Sequence, residues 1–346
     1  MSVELLEALQ PATGPVAPAR LPRLGFLGLG WIGQNRLQSL LDAQACRVVA
    51  VADTSEGATL RAQQLAPGSV AARSLEELLA LELDGCVVAT PSALHAAQAL
   101  TLLDHGVAVF CQKPLARTAV ETAAIVQAAR TANRLLGCDF SYRYTRGMQR
   151  IRQTVAAGEL GRIYAVDLVF HNAYGPDKAW FRDPALSGGG CAIDLGTHLI
   201  DLALWCLDFP EVQRTSSRLY AQGRVLSPGA AEVEDYAVAQ LDLAGGTTVR
   251  LACSWNLAAG RDAVIEAQFH GTAGGAALRN CNGSFYDFAA ERYSGTQSTT
   301  LTQPPDDWGG RAIVDWAQRL ASGAGYDAGI ESAVQVASVM DRVYGR

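Results

Sequence analysis

Leu24 to Asp53 reads LGFLGLGWIGQNRLQSLLDAQACRVVAVAD. An apolar run, LGFLG, passes into the glycine pattern GLGWIG, then a helical stretch, then a second apolar run, RVVAVAD, that ends on a carboxylate. Strands buried on both faces are written as continuous hydrophobic runs of this kind, and a helical crossover between two of them makes the pair parallel. Gly28, Gly30 and Gly33, with Trp31 and Ile32 between them, fall where the strand ends and the helix begins. Glycine there allows a tight turn and lets a pyrophosphate reach the free amides at the helix N-terminus. Asp53 follows Gly33 by about 20 residues, at the end of the second strand, where a carboxylate accepts both ribose hydroxyls and repels a 2′-phosphate. The stretch therefore points to a dinucleotide, NAD in preference to NADP. NADP stays open, because Thr54, Ser55 and Arg61 could form a phosphate pocket were Asp53 to turn away.

The alternation continues outward through DGCVVAT, VAVFCQ and RLLGCDF, so residues 23–140 are expected to form a Rossmann domain with a doubly wound parallel sheet. Ser74 with Glu77 and Thr118 with Glu121 have capping-box spacing, and Gly106 and Gly137 are placed as stops for helices or turns. After Tyr142 the texture changes. One helical segment, Met148 to Ala157, leads into RIYAVDLVF, DYAVAQLDL and TTVRLACSW, with Asp242 to Gly246 as a hairpin turn. A further strand pair flanks HGTAGGAAL, and helical stretches at Arg311 to Leu320 and Gly329 to Val343 follow. Residues 141–346 thus read as an α+β domain, helices beside an open, largely antiparallel sheet. Residues 1–22, with four prolines, read as an N-terminal arm.

The 346 residues are 49% hydrophobic and 18% charged with a net charge of −6, a balance that argues against a nucleic-acid partner. Eight cysteines occur singly, without metal-ligand spacing, and read as apolar core residues in a reducing compartment. No run is long and apolar enough for a membrane span and no secretory leader is recognised, so a cytoplasmic location is expected.

Thr90-Pro91 and Gln112-Lys113-Pro114 lie at the carboxyl ends of expected strands, the edge of an open α/β sheet where ligands bind. A second concentration of chemistry is Ser187 to Asp201, SGGGCAIDLGTHLID. If Ala192 to Trp205 is an α-helix, Asp194, His198 and Asp201 fall within roughly 60° of one another on one face. The glycines before it let the backbone pass close under a ligand. Tyr142, Tyr164, Tyr174 and Trp180 offer aromatic faces on which a sugar ring can stack. The cysteines lack the supporting pattern for a metal site with Cys191, Asp194 and His198, and no metal is expected.

With GLGWIG, Thr90 to Ala116, Phe140 to Asp167 and Ser187 to Trp205 in this order, the chain resembles the glucose-fructose oxidoreductase, inositol dehydrogenase and rhizopine-catabolism (GFO/IDH/MocA) family. The resemblance implies an NAD(P)-dependent dehydrogenase of a secondary hydroxyl or carbonyl on a sugar, sugar acid or cyclitol, with residues 141–346 as the substrate-binding and oligomerisation domain whose open sheet faces the substrate. It places substrate binding and proton transfer on Lys113, Asp194 and His198. Hydride transfer needs a base for the hydroxyl proton and a donor for the developing alkoxide. His198 suits the first, Lys113 the second, and Asp194 the orientation of a neighbouring substrate hydroxyl. Asp201 is placed either to hold the imidazole or to cap a local network.

His95 fits the family's Thr-Pro motif as a crevice-wall or cofactor residue, and Arg143, Tyr174 and Trp180 are candidates beside the substrate. Gln112 departs from the family's usual Glu before Lys-Pro and removes a negative charge beside Lys113. A cis peptide before Pro114 and a homodimer or homotetramer through the second sheet are further implications. Competing readings are a reductase or dehydrogenase of a dihydrodiol or tetrapyrrole ring, and a non-catalytic NAD sensor.

Overall fold

In the computed structural model, which describes residues 20–227 and 229–346, the apolar runs become strands and the stretches between them helices. The arm expected over residues 1–22 lies outside the described residues except for Arg20 to Pro22. The first half runs β1 (Arg23–Leu27), α1 (Trp31–Asp42), β2 (Arg47–Ala52), α2 (Glu56–Leu65), β3 (Val70–Ala71), α3 (Leu75–Leu79), β4 (Gly85–Val88), α4 (Ser92–Asp104), β5 (Ala108–Cys111), α5 (Ala119–Ala132) and β6 (Leu136–Cys138). Its six strands are all parallel in the order β3-β2-β1-β4-β5-β6. The order reverses between β1 and β4, which opens a crevice at their carboxyl ends. The central strands β4 and β5 are buried at every position, the reason their sequences are unbroken apolar runs.

The expected caps are made. Ser74 accepts from the Glu77 amide and Thr118 from the Glu121 amide, while each glutamate reaches back to the amide just before the cap, at Arg73 and Arg117. Gly106 closes α4 at φ +74. Gly137 differs from expectation: it lies inside β6, and the left-handed cap of α5 is Asn133 at φ 48.

The second half contains α6 (Arg146–Ala156), β7 (Ile163–Asn172), α7 (Pro184–Ser187), α8 (Thr197–Cys206), β8 (Val212–Ala221), β9 (Arg224–Val225), β10 (Tyr236–Leu243), β11 (Thr248–Ser254), β12 (Ala263–Gly271), β13 (Gly275–Asn280), β14 (Phe288–Ser294), β15 (Gln297–Thr302), α9 (Arg311–Ala321) and α10 (Ser332–Tyr344). Nine strands form one sheet in the order β15-β14-β13-β12-β7-β11-β10-β8-β9. β7 is the central strand, and all pairs are antiparallel except β7 with β11. Alternate residues of β7, Val166, Leu168 and Phe170, are buried toward the helices, while Asp167, Val169 and His171 face the other way.

The chain then returns to the first sheet. Helix α9 packs beside α1, and Trp316, 3% exposed, tilts against Phe110 with ring centroids 5.7 Å apart. Side chains at Gly85 and Gly137 would meet the Trp316 ring at 2.7 and 2.9 Å, so the two glycines clear its seat. This explains Gly137 better than a stop signal does. Trp316→Ala should lower unfolding stability by about 3–5 kcal/mol in chemical denaturation, the cost of an aromatic-sized cavity; a loss under about 1 kcal/mol would show that α9 is not a structural part of the first sheet's core.

Candidate active site

The carboxyl ends of β1, β2, β4 and β5 open onto a crevice of about 1990 Å³, closed on its far side by the helices and loops of the second sheet. Gly28, Gly30, Trp31, Ile32, Asp53, Thr90, Pro91, His95, Gln112 and Lys113 all line it. The three glycines divide the work. Gly28 turns at φ +92 under the backbone of Ala89 and Thr90, and a Cβ on Gly33 would stand 2.2 Å from the Gly28 carbonyl. In front of Gly30 there is nothing within 4 Å. Gly30 caps α1 with no side-chain hydrogen bond, so the amides at the head of that helix are left for an anion. Gly33 itself is not on the crevice wall; it makes the turn close-packed.

Asp53 is braced at the mouth: Oδ2 accepts from the Leu29 amide at 2.6 Å and Oδ1 from the Ser55 amide at 2.7 Å. Thr54, Ser55, Arg61, Arg73 and Ser74 line the same end. His95 bridges the two wall motifs, one ring nitrogen 2.8 Å from the Thr90 carbonyl and the other 2.9 Å from that of Pro114. Burial holds its pKa below the ordinary value. The Lys113-Pro114 peptide is cis.

Gln112 has a partner that the sequence did not signal. Its Nε2 donates to Asp139 Oδ2 at 2.5 Å, and the same oxygen accepts from Arg36 Nε at 2.6 Å. Both ionic groups are nearly inaccessible, with side-chain exposures of 6% and 1%. A glutamate at 112 would set two carboxylates side by side; the amide donates instead. Arg36 and Asp139, far apart in sequence, had no local pattern to mark them.

Across the crevice, Gly188 to Gly190 lead into a wide turn, Ala192–Gly196, in which the Thr197 amide reaches five residues back to the Ala192 carbonyl before α8 begins. A uniform α-helix over Ala192 to Trp205 is therefore not what forms, and the three aligned side chains separate. Asp194 turns to the crevice: Lys113 Nζ donates to its Oδ1 at 2.7 Å and to its carbonyl at 2.8 Å, and Trp255 Nε1 donates to its Oδ2 at 3.1 Å. His198 also lines the crevice, edge-on to Tyr142 with ring centroids 4.8 Å apart and beside Phe170. Burial, with the charges of Lys113 and Arg36, drives its pKa well below the ordinary value, so the ring is neutral at pH 7.

Asp201 does not hold the imidazole. It forms a two-pronged ion pair with Arg143, whose guanidinium lies over the Phe140 ring. The substrate-side expectation for Arg143 fails for the same reason: the buried carboxylate of Asp201 draws it away from the crevice. Tyr174 and Trp180 do reach the crevice, together with Trp255 and Tyr286; Tyr164 does not. Among the described residues no cluster of His, Cys, Asp and Glu is arranged to hold a metal ion.

Residues 22–140 match the family described as "Oxidoreductase family, NAD-binding Rossmann fold", and residues 148–277 match the GFO/IDH/MocA C-terminal domain. A putative UDP-kanosamine synthase oxidoreductase subunit of Amycolatopsis mediterranei is 32% identical over 271 residues, covering 74% of this chain and 75% of that protein. The D-glucoside 3-dehydrogenase of Escherichia coli is 29% identical over 211 residues, 58% of this chain and 60% of its own length. In fold, the chain is similar to levoglucosan dehydrogenase in complex with NADH and levoglucosan, with a TM-score of 0.79, 21% identity and coverage of 93% and 96%.

The neutral state of His198 has a pH signature. The unfolded ring titrates near 6.5 while the folded ring resists protonation, so the unfolded chain binds more protons below that pH. The contribution of His198 is intact above about pH 6.5 and drains away as the pH falls. In urea unfolding, the wild type should lose about 1 kcal/mol more than His198→Gln between about pH 7.5 and 5.5. Equal losses would mean that the ring titrates normally in the folded chain.

Proposed function

Because the chain belongs to the GFO/IDH/MocA oxidoreductase family, we propose that it transfers hydride between NAD and a secondary hydroxyl or carbonyl of a sugar, sugar acid or cyclitol. The observation that carries this is the Lys113–Asp194 contact at 2.7 Å in the same crevice as a neutral His198 and the glycine turn. The turn fits a dinucleotide: open space in front of Gly30, uncapped amides at the head of α1, and Asp53 at the ribose end. NAD, when bound, supplies the hydride acceptor.

The chain's own groups do the rest. Lys113, oriented by Asp194, donates to the oxygen on which negative charge grows as the C–H bond breaks. His198 takes the hydroxyl proton in oxidation and returns it in reduction. With burial first, and Lys113 and Arg36 adding to it, depressing its pKa, the imidazole waits unprotonated, ready for the oxidative direction. Asp194 Oδ2, held by Trp255, fixes the carboxylate so that a neighbouring substrate hydroxyl can donate to it. Tyr174, Trp180 and Tyr286 toward the lip, with the buried Trp255 deeper, give flat apolar faces beside these polar groups, the combination a polyol ring needs. The relatives named for glucoside and UDP-kanosamine chemistry support the same class.

We further assign residues 23–140 to the dinucleotide and 141–346 to the substrate, a reducing and cytoplasmic compartment consistent with all eight cysteines being free thiols, and a homodimer or homotetramer. The sheet face turned away from the helices carries Val169, Val238, Ala252 and Val264, all partly exposed, among ion pairs such as Arg250 with Asp167. Among the described residues no helix is long and apolar enough to cross a membrane.

An NADH absorbance screen over polyols and sugars should find a substrate, with a lower KM for NAD than for NADP. On that substrate Lys113→Ala and His198→Ala should each lower kcat by ~10²-fold or more. Near-normal turnover in both would remove the assignment, and a clear NADP preference would overturn the role of Asp53. Light scattering should give a mass well above the 36.6 kDa of one chain, and a monomer would refute the sheet contact.

A further inference from the structure

The glycine run before Asp194 is held by two residues that no motif pointed to. Glu234, 2% exposed, lies just before β10, and Tyr344 is the last residue of α10. Four successive amides at the head of the wide turn end on this pair. Those of Gly190 and Ala192 donate to Glu234 Oε1 at 2.9 and 2.8 Å, that of Cys191 to the Glu234 carbonyl at 3.0 Å, and that of Ile193 to the Tyr344 hydroxyl at 3.1 Å. The Tyr344 hydroxyl in turn donates to Glu234 Oε1 at 2.8 Å. The next amide, that of Asp194, is the first to bond within the helix, to the Gly190 carbonyl at 3.1 Å.

A helix leaves four amides without internal partners, and here all four are capped by groups from elsewhere in the chain. The fit is close enough to dictate sequence. A Cβ on Gly189 would stand 2.0 Å from the Tyr344 hydroxyl, and one on Gly190 would stand 2.0 Å from the Glu234 carbonyl. Arg346 adds a bond from Nη1 to the Gly188 carbonyl at 3.2 Å.

Neither Glu234 nor Tyr344 lines the crevice. They act on the residues immediately after the capped amides, and those residues carry the chemistry. We propose that Glu234 and Tyr344 are positioning residues: by capping the amides of 190–193 they fix where Asp194 stands, and through Asp194 they fix the Lys113 ammonium and the approach of α8 with His198. The consequence for rate rests on the function proposed above; the capping itself does not. Loosening the cap frees the first residues of the turn to move, which lets the Asp194 carboxylate shift off Lys113 and Trp255. Cofactor binding at the glycine turn of α1, on the opposite wall, is left intact.

The test compares Glu234→Ala, Glu234→Gln and Tyr344→Phe with wild type. Hydrogen exchange read by mass spectrometry on peptides covering 188–198 needs no substrate. Exchange there should be at least tenfold faster in Glu234→Ala and Tyr344→Phe and near native in Glu234→Gln, whose amide oxygen still accepts. Peptides covering 26–40 should be unchanged, and the NADH dissociation constant should stay within twofold. On the substrate found in the screen, kcat should fall at least tenfold in Glu234→Ala while KM for NAD stays within twofold, and Glu234→Gln should keep more than a third of wild-type kcat.

Native exchange at 188–198 in the two disruptive variants would overturn the cap. Faster exchange with kcat within twofold of wild type, or a Glu234→Gln as slow as Glu234→Ala, would overturn the positioning role. If the screen yields no substrate, the proposed function fails while the exchange result still decides the cap. If Glu234→Ala does not fold, Tyr344→Phe, which removes one hydroxyl and no packing, carries both readouts.

Discussion

One ammonium ties the two sheets together at the point where chemistry is possible. Lys113, at the end of the parallel sheet, donates both to the carboxylate and to the main chain of Asp194, on the helix layer of the second sheet. Because it holds side chain and backbone at once, it fixes the position of the turn as well as the direction of one carboxylate. The charge also reaches His198, where it works with burial against protonation. The imidazole is thus kept unprotonated first by its burial, with the ammonium beside it adding to the effect. The pair is only partly exposed, at 19% and 16%, so water screens it far less than it would a surface contact.

Around this contact the ionic groups are arranged in layers. Arg36, Asp139 and Gln112 form a buried base under the crevice, and Arg143 with Asp201 braces α8 from behind. Removing one member of such a pair leaves the other charged and without solvent, which makes these pairs demanding fixtures more than sources of stability. Gln112 is the economical member of the set: an amide at that point satisfies Asp139 without adding a second negative charge.

Much of the first sheet was legible because its information is local. Unbroken apolar runs, glycine spacing and hydroxyl caps are each written within a few residues, and β1, β4 and β5, Gly28 to Gly33, and the Ser74 and Thr118 caps stand where they were expected. Lys113, Asp194 and His198 do line one crevice; local pattern marked them only as proton-handling groups beside turn signals, and it was the family resemblance that singled them out. What was not legible was non-local or geometric. β3 is two residues long, too short for any pattern. Arg36 meets Asp139 across 103 residues and Arg143 meets Asp201 across 58, and nothing near any of the four announces a partner. The wide turn at Ala192–Gly196 has no period to read, and Glu234 and Tyr344, which cap the amides at its head, come from far along the chain. Gly137 looked like punctuation and is in fact clearance for an indole from α9.

That indole imposes an order on the chain's early life. The groove between β4, β5 and β6 into which Trp316 fits is lined by Phe110 and two glycines, and it stays uncovered on a ribosome until residues beyond 321 have emerged. A nascent chain that has completed its parallel sheet therefore still carries an open apolar seam through the whole synthesis of the second sheet. During that interval it is a candidate for chaperone capture or for mispairing with another unfinished copy, and the final turn of assembly comes from the far end of the polypeptide.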